Sequence, residues 1–172
     1  MSSADRPRSV SDDQALARLA DGLGRALRAR GLVLAVAESC TGGWIAKLLT
    51  DIPGASDWFD SGYATYSNRA KTAALGVPAD LLAIEGAVSE ACVRAMTAGL
   101  GRITGCRAAI AVSGIAGPGG GSPAKPVGLV YLGFALEDRD WAVELHLAGD
   151  RDTIRRQAVA AALAELTAAL SR

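Results

Sequence analysis

The 172 residues carry 18 basic and 18 acidic side chains, so their charges cancel, and half of the residues are hydrophobic. This composition excludes a disordered chain and a strongly basic nucleic-acid-binding protein, and the length suits one domain with its own core. Three cysteines without a Cys-x-x-Cys pair exclude a disulfide framework and a cysteine-rich zinc site, and no apolar run reaches the length of a membrane span. We therefore expect a cytoplasmic protein that contacts neither membranes nor, directly, nucleic acid.

The chain begins with a polar segment. We expect residues 1–11 to form a loose tail and residues 12–172 to form the domain. Ser11 and Gln14 have the spacing of a capping box, which predicts a helix with Ser11 as its N-cap. Leucines at helical spacing follow, and Gly31 stands where a helix would end.

A buried strand and a second helix come next, with polar side chains between them. Residues 32–37 are small, apolar or β-branched, which is typical of a buried strand, and helical spacing resumes after Gly43. The Ser39 hydroxyl and the Cys40 thiol therefore lie at a strand-to-helix turn, where a helix offers unpaired N–H groups to an anion. A nucleophile with an oxyanion site needs this geometry. The alternative is an ordinary helix N-cap by Ser39 or Thr41.

The middle of the chain repeats the pattern of a strand followed by a capped helix. Residues 62–66 predict a second strand, and Ser67 can cap a helix that contains Lys71. After a short helical piece, Ser89 can cap a longer helix that precedes a third buried strand at 107–112.

The last third predicts a loop, a hairpin and a helix. Residues 113–128 hold six glycines and three prolines, which exclude regular structure over most of the segment. Strands at 129–136 and 141–147 form a hairpin, and a helix runs from about residue 150 to about residue 170. This order predicts a single-domain, three-layer α/β/α sandwich with a mixed sheet of about five strands. Ligands of such sheets bind beyond the carboxyl ends of the strands.

Histidine is nearly absent, so acid–base chemistry would have to use Lys, Tyr, Asp or Glu. His146, the only histidine, alternates onto the polar face of its strand. A serine nucleophile would then need a lysine base, and Lys71 is the best placed if burial lowers its pKa. Tyr66 can relay a proton or hold the lysine. Two alternatives stay open: a solvated Lys71, and a rival arrangement of Glu38, Cys40 and Lys71.

The glycine-rich loop is a candidate anion site. Backbone N–H groups of residues 113–121 can form a nest for a phosphate. The loop is not a Walker A motif, because Pro126 follows Lys125. Three arginines near the start of the last helix can add an anion clamp: Arg151, Arg155 and Arg156. The alternatives are an ordinary loop and a solvated basic face.

Five segments between residues 12 and 170 carry a resemblance to a known family. They are Ala37-Glu-Ser-Cys-Thr-Gly-Gly43, Thr65-Tyr-Ser-Asn68 with Lys71, Gly86-Ala-Val-Ser-Glu90, Ser113-Gly-Ile-Ala-Gly-Pro118 with Gly120, and Gly149-Asp-Arg151 with Arg155-Arg-Gln157. Together and in this order they resemble the CinA C-terminal domain, a competence-damage family whose stand-alone members are nicotinamide-nucleotide amidases.

The resemblance implies an amidohydrolase of pyridine nucleotide recycling. It implies conversion of nicotinamide mononucleotide to nicotinate mononucleotide and ammonia, without metal or cofactor, on the three-layer fold. It further implies Ser39 as nucleophile, Lys71 as general base and Tyr66 as a supporting catalytic residue, with N–H groups around residues 40–43 stabilising the oxyanion. The substrate-binding residues expected from it are Glu38, Cys40, Thr41, Gly42, Gly43, Asn68, Ser113, Gly114, Ile115, Gly117, Pro118, Gly120 and Arg155.

Two other functions stay open at this point. One is a non-catalytic interaction module, because the family is also linked to competence and DNA damage. The other is an amidase with a different substrate. The expected partner is a small nucleotide substrate, and an assembly of identical chains stays open.

Overall fold

The computed structural model describes residues 12–172. Within them the strands form one sheet, and helices cover both of its faces. The elements are α1 Asp13–Arg30, β1 Leu34–Glu38, α2 Trp44–Thr50, a 3-10 turn at Ala55–Asp57, β2 Phe59–Ala64, α3 Asn68–Leu75, α4 Ala79–Ile84, α5 Glu90–Thr104, β3 Ala108–Gly114, β4 Leu129–Leu136, β5 Arg139–His146 and α6 Arg151–Leu170.

Helix α1 begins later than the sequence predicts. The Asp12 carboxylate caps it by accepting the N–H of Ala15 at 2.6 Å. The predicted Ser11 cap is therefore wrong, because Asp12 already supplies the acceptor that the first turn needs. Ser11 itself and the predicted loose tail at 1–11 lie outside the described residues.

The sheet has five strands in the order β2-β1-β3-β4-β5. Strands β2, β1 and β3 are parallel, and β4 and β5 are antiparallel to their neighbours. One apolar cluster lies between the sheet and helices α1, α2 and α6, and a second lies between the sheet and helices α3, α4 and α5. The predicted three-layer sandwich with a mixed sheet is thus confirmed. None of the described helices is long and apolar enough to span a membrane.

The parallel strands bring their carboxyl ends to one edge of the sheet. The predicted strands at 32–37 and 62–66 lie instead at 34–38 and 59–64, because the pairing of β1 with β2 ends at Glu38 and Ala64. Ser39 and Thr65 therefore leave the sheet side by side.

Alternation along β1 decides which face each following side chain takes. Ala35 and Ala37 pack in the cluster under α3 and α5, whereas Val36 packs in the cluster under α2 and α6. Because side chains alternate, Ser39 continues on the α3 side and Cys40 on the α2 side. Cys40 indeed belongs to the cluster under α2 and α6.

The β4–β5 hairpin has a tighter turn than the sequence predicts. Glu137 and Asp138 alone join the strands, so Leu136 pairs with Arg139. Glu137 has φ 57°, the left-handed conformation that a two-residue hairpin turn needs. Arg139 and Asp140, expected in the loop, are therefore strand residues.

Candidate active site

A lysine and a serine meet where β1 ends. Lys71 Nζ lies 3.0 Å from Ser39 Oγ, 2.7 Å from the carbonyl oxygen of Thr65 and 3.4 Å from that of Tyr66. Lys71 is only 1 % exposed and Ser39 only 9 %. The structure thus brings together the two residues that the sequence analysis selected as nucleophile and base.

The start of helix α3 positions the lysine. The Ser67 hydroxyl accepts the N–H of Ala70 at 3.1 Å, as the sequence predicts, and Lys71 follows in the first turn. Burial lowers the pKa of Lys71, opposed by the Cys92 and Cys40 thiols. Within residues 12–172 no acidic side chain forms an ion pair with Lys71 to offset this burial. The amine can therefore lose its proton more easily than an ordinary lysine.

A buried carboxylate holds the turn between β1 and α2. Glu38 is 1 % exposed, and its carboxylate accepts the N–H groups of Gly43, Ile45 and Ala46 at 3.1, 3.1 and 2.9 Å. The expectation that this helix N-terminus is open to an anion is wrong, because Glu38 already occupies it. The alternative of a Ser39 or Thr41 cap is also wrong: the N-cap is Gly43, with φ 97° and no side-chain cap.

We expect Glu38→Gln to lower the stability of the fold. The amide keeps one oxygen acceptor but turns an NH₂ group toward a helix N–H, so one buried bond to a charged acceptor is lost. Such bonds contribute about 1.5–3 kcal/mol each. Urea unfolding at neutral pH measures the change, and an unfolding free energy equal to that of the wild type would contradict the role of Glu38 in the turn.

Two backbone N–H groups of the turn remain free. The N–H of Ser39 donates to Val112, that of Gly42 donates to Ser39, and that of Gly43 donates to Glu38. Those of Cys40 and Thr41 donate to no other residue among those that the structure describes. Of the donors expected at 40–43, these two are therefore the remaining candidates for an oxyanion site, and both belong to buried residues, with Cys40 6 % and Thr41 0 % exposed.

Cys40 faces away from the lysine. Its side chain packs in the apolar cluster under α2 and α6, and burial raises the pKa of its thiol to about 11. A thiol with this pKa is protonated at neutral pH and is a poor nucleophile. The structure thus favours Ser39 over the rival arrangement around Cys40.

The Tyr66 side chain reaches the mouth of the site rather than the lysine. It is 64 % exposed, and its hydroxyl accepts a hydrogen bond of 3.2 Å from Arg151 Nη2. Arg151 Nη1 donates to the carbonyl of Gly117 at 2.8 Å, which ties α6 to the glycine-rich loop. Only the backbone carbonyl of Tyr66 contacts Lys71.

Arg155 contacts the turn itself. Its Nε donates to the carbonyl of Cys40 and its Nη2 to that of Thr41, both at 2.9 Å. The guanidinium lies 5.1 Å from the ring centroid of Trp44. Two of the expected site residues thus contact each other: Arg155 binds backbone carbonyls of the turn, and Gly42 lies next to its guanidinium.

The first residues of the expected loop belong to the sheet. β3 continues through Ser113 and Gly114, and the Ser113 hydroxyl donates to the carbonyl of Ala87 at 2.7 Å. Ile115 N–H donates to Leu129, so it cannot serve a ligand. Gly117 is buried, whereas these expected site residues are exposed: Pro118, Gly120 and, at the start of α3, Asn68.

His146 lies on β5, three strands away from β1 in the sheet. It is exposed on β5, at the sheet edge opposite β2, and its Nε2 lies 2.7 Å from a Glu144 carboxylate oxygen. The prediction of a solvent-facing strand residue is confirmed. In the part of the chain that the structure describes, no group of three or more His, Cys, Asp or Glu side chains could hold a metal ion.

Sequence reasoning missed the Thr65 carbonyl and the capping role of Glu38. No side-chain pattern marks a carbonyl acceptor, and Glu38 reaches N–H groups five to eight residues away across a turn. It also missed two buried hydroxyls without a partner in the described chain, those of Thr41 and Thr65.

Other proteins are similar to this sequence over most of its length. The protein "Nicotinamide-nucleotide amidohydrolase PncC" of Escherichia coli is 48% identical over 155 residues, which are 90% of this chain and 94% of that protein. A longer "CinA-like protein" of Anaeromyxobacter is 51% identical over 144 residues, which are 84% of this chain. The chain spans 35% of the length of that longer relative.

Crystal structures of related proteins have the same fold. The crystal structure of the competence damage-inducible protein A of Klebsiella pneumoniae superposes with a TM-score of 0.88 at 40% identity, covering 91% of this chain and 98% of that one. The family model of the CinA C-terminal domain matches residues 16–170, nearly the whole chain. The chain therefore belongs to the CinA C-terminal domain family.

Proposed function

We propose that this protein is an amidohydrolase that converts nicotinamide mononucleotide to nicotinate mononucleotide and ammonia by a serine–lysine mechanism. The observation that carries the mechanism is the 3.0 Å contact between Ser39 Oγ and the buried amine of Lys71. The substrate follows from the name of the Escherichia coli relative, which is 48% identical over 90% of this chain.

The surroundings of Lys71 suit a base. A neutral amine has two N–H donors and one lone pair, and the carbonyls of Thr65 and Tyr66 can only accept. With both N–H groups directed to the carbonyls, the lone pair faces the Ser39 hydroxyl. After proton transfer, the three oxygens together can accept all three hydrogens of the ammonium.

The reaction then proceeds in two halves. Lys71 takes the proton of Ser39 as its oxygen attacks the carboxamide carbon, and the N–H groups of Cys40 and Thr41 receive the oxyanion. The Lys71 ammonium donates its proton to the amide nitrogen of the tetrahedral intermediate as the C–N bond breaks, and this nitrogen leaves as ammonia. Water, deprotonated by Lys71, attacks the acyl-enzyme, and breaking the ester bond returns the proton to Ser39.

Arg151 is the cation best placed for the substrate phosphate. Its guanidinium donates to the carbonyl of Gly117 and to the hydroxyl of Tyr66, the residue whose backbone carbonyl contacts Lys71. Arg155 is less suited to this role, because two of its nitrogens already donate to backbone carbonyls. A phosphate at Arg151 would leave the nicotinamide ring free to reach Ser39.

Nicotinamide riboside, which lacks the phosphate, tests this assignment. We expect the riboside to react with a kcat/KM lower than that of the mononucleotide by at least about tenfold, the effect of one lost charge-assisted contact. Arg151→Ala should lower kcat/KM for the mononucleotide by a similar factor and leave the riboside unchanged. An equal loss on both substrates would show instead that Arg151 acts on the chemistry through Tyr66.

The decisive experiment for the function is ammonia release from nicotinamide mononucleotide by the purified protein. Product analysis should give nicotinate mononucleotide in equal amount. Turnover of simple amides without turnover of the mononucleotide would support an amidase with a different substrate, and no turnover of either would contradict the proposal.

A further inference from the structure

Arg155 makes an unusual pair of bonds. It lies in the first turns of α6, yet its Nε and Nη2 each bind one of two consecutive carbonyls in the turn after β1, those of Cys40 and Thr41, at 2.9 Å. The turn and the arginine are 114 and 115 residues apart in sequence. The Trp44 ring, 5.1 Å away, supports the flat guanidinium.

These bonds set the direction of a free N–H. In a trans peptide the C=O and the N–H point in opposite directions. The Cys40 carbonyl shares its peptide with the N–H of Thr41, so binding that carbonyl to Arg155 turns the Thr41 N–H to the opposite side. The Ser39 carbonyl, which accepts the N–H of Gly42, fixes the N–H of Cys40 in the same way.

The charge of Arg155 also acts on this peptide. A cation at a carbonyl oxygen polarises the peptide unit, and the N–H of the same unit becomes a stronger donor. The guanidinium is suited to the position because it presents two donors in a fixed fork, whereas a lysine is a single point charge. Geometry and charge therefore improve the same donor.

We propose that Arg155 is a positioning residue that orients and polarises the oxyanion donor of Thr41, rather than a contact for the substrate phosphate. This inference rests on the proposed serine–lysine mechanism. It assigns Arg155 to the chemical step, which the mononucleotide and the riboside share, and leaves phosphate recognition to other groups.

The neighbouring arginine provides a matched control. Arg156 lies 4.8 Å from the same Trp44 ring, but it bonds to the carboxylates of Asp13 and Asp152 on the outside of the fold. Arg155→Lys and Arg156→Lys therefore make the same chemical change beside the same ring. We expect Arg156→Lys to keep kcat within about twofold.

We expect Arg155→Lys to lower kcat at least about tenfold on both substrates and by the same factor, with KM within about twofold, because loss of one oxyanion donor costs about 10²–10³ in kcat. A thermal melt confirms folding, and Arg155→Gln, which can still donate to one carbonyl, replaces the lysine variant if that one does not fold. An unchanged kcat, or a loss confined to KM for the mononucleotide, would overturn the inference.

Labelling of Ser39 by a fluorophosphonate separates this inference from the proposed substrate. The reagent needs the nucleophile and the oxyanion donors but no nucleotide. Slower labelling of Arg155→Lys than of Arg156→Lys would support the inference even if the wild type failed to release ammonia from nicotinamide mononucleotide. Equal labelling of the two variants, or a wild-type Ser39 that does not react at all, would contradict it.

Discussion

Replacing Ser39 by alanine should abolish ammonia release from nicotinamide mononucleotide and leave the fold intact. Without the hydroxyl no acyl-enzyme forms, and loss of the nucleophile in a serine hydrolase costs on the order of 10⁶ in kcat. The fold should persist because Lys71 Nζ keeps two carbonyl acceptors, those of Thr65 and Tyr66. Steady-state ammonia release gives the rate, and a circular dichroism melt reports the fold.

Cys40→Ala is the control for this result, because the two residues are adjacent but face opposite sides of the sheet. The thiol packs in the apolar cluster under α2 and α6, so its removal should leave most of the activity. If the cysteine variant is folded and inactive while Ser39→Ala still turns over, the nucleophile is Cys40.

The fold was predictable where local chemistry decides it. Ser67 and Ser89 cap their helices as expected, each accepting an N–H three residues on at 3.1 Å, and Gly31 ends α1 in the left-handed conformation. Strand ends were less predictable, because pairing with a neighbouring strand sets them. The end of β2, for example, follows its register against β1 rather than its own composition.

The same distinction between local and long-range determinants applies to the candidate site. Ser39 and Lys71 could be selected from their places after a strand and a helix cap. The groups that orient them could not, because their partners lie across the fold. Glu38 reaches α2 only because Gly42 and Gly43, with φ of 65° and 97°, turn the chain back, and Arg155 meets the turn only because α6 packs beside α2.

Because the proposed base is a buried amine, kcat/KM should depend on pH. Only neutral Lys71 can accept the serine proton, and burial places its pKa below the ordinary lysine value. Below that lowered pKa the amine is protonated, so kcat/KM should rise as the pH rises through it. A profile of kcat/KM against pH for the wild type should show this ascending limb below the pH at which an ordinary lysine titrates.

Lys71→Ala should lower kcat by at least about 10²-fold, the usual effect of losing a general base. It should also remove the ascending limb of the pH profile. Lys71→Arg should not restore the rate, because a guanidinium stays protonated and cannot accept the proton of Ser39. His146→Ala is the matched control: the only imidazole is exposed on β5 at the far edge of the sheet, so its loss should leave kcat within about twofold. Full activity of folded Lys71→Ala, or inactivity of folded His146→Ala, would exclude the serine–lysine mechanism.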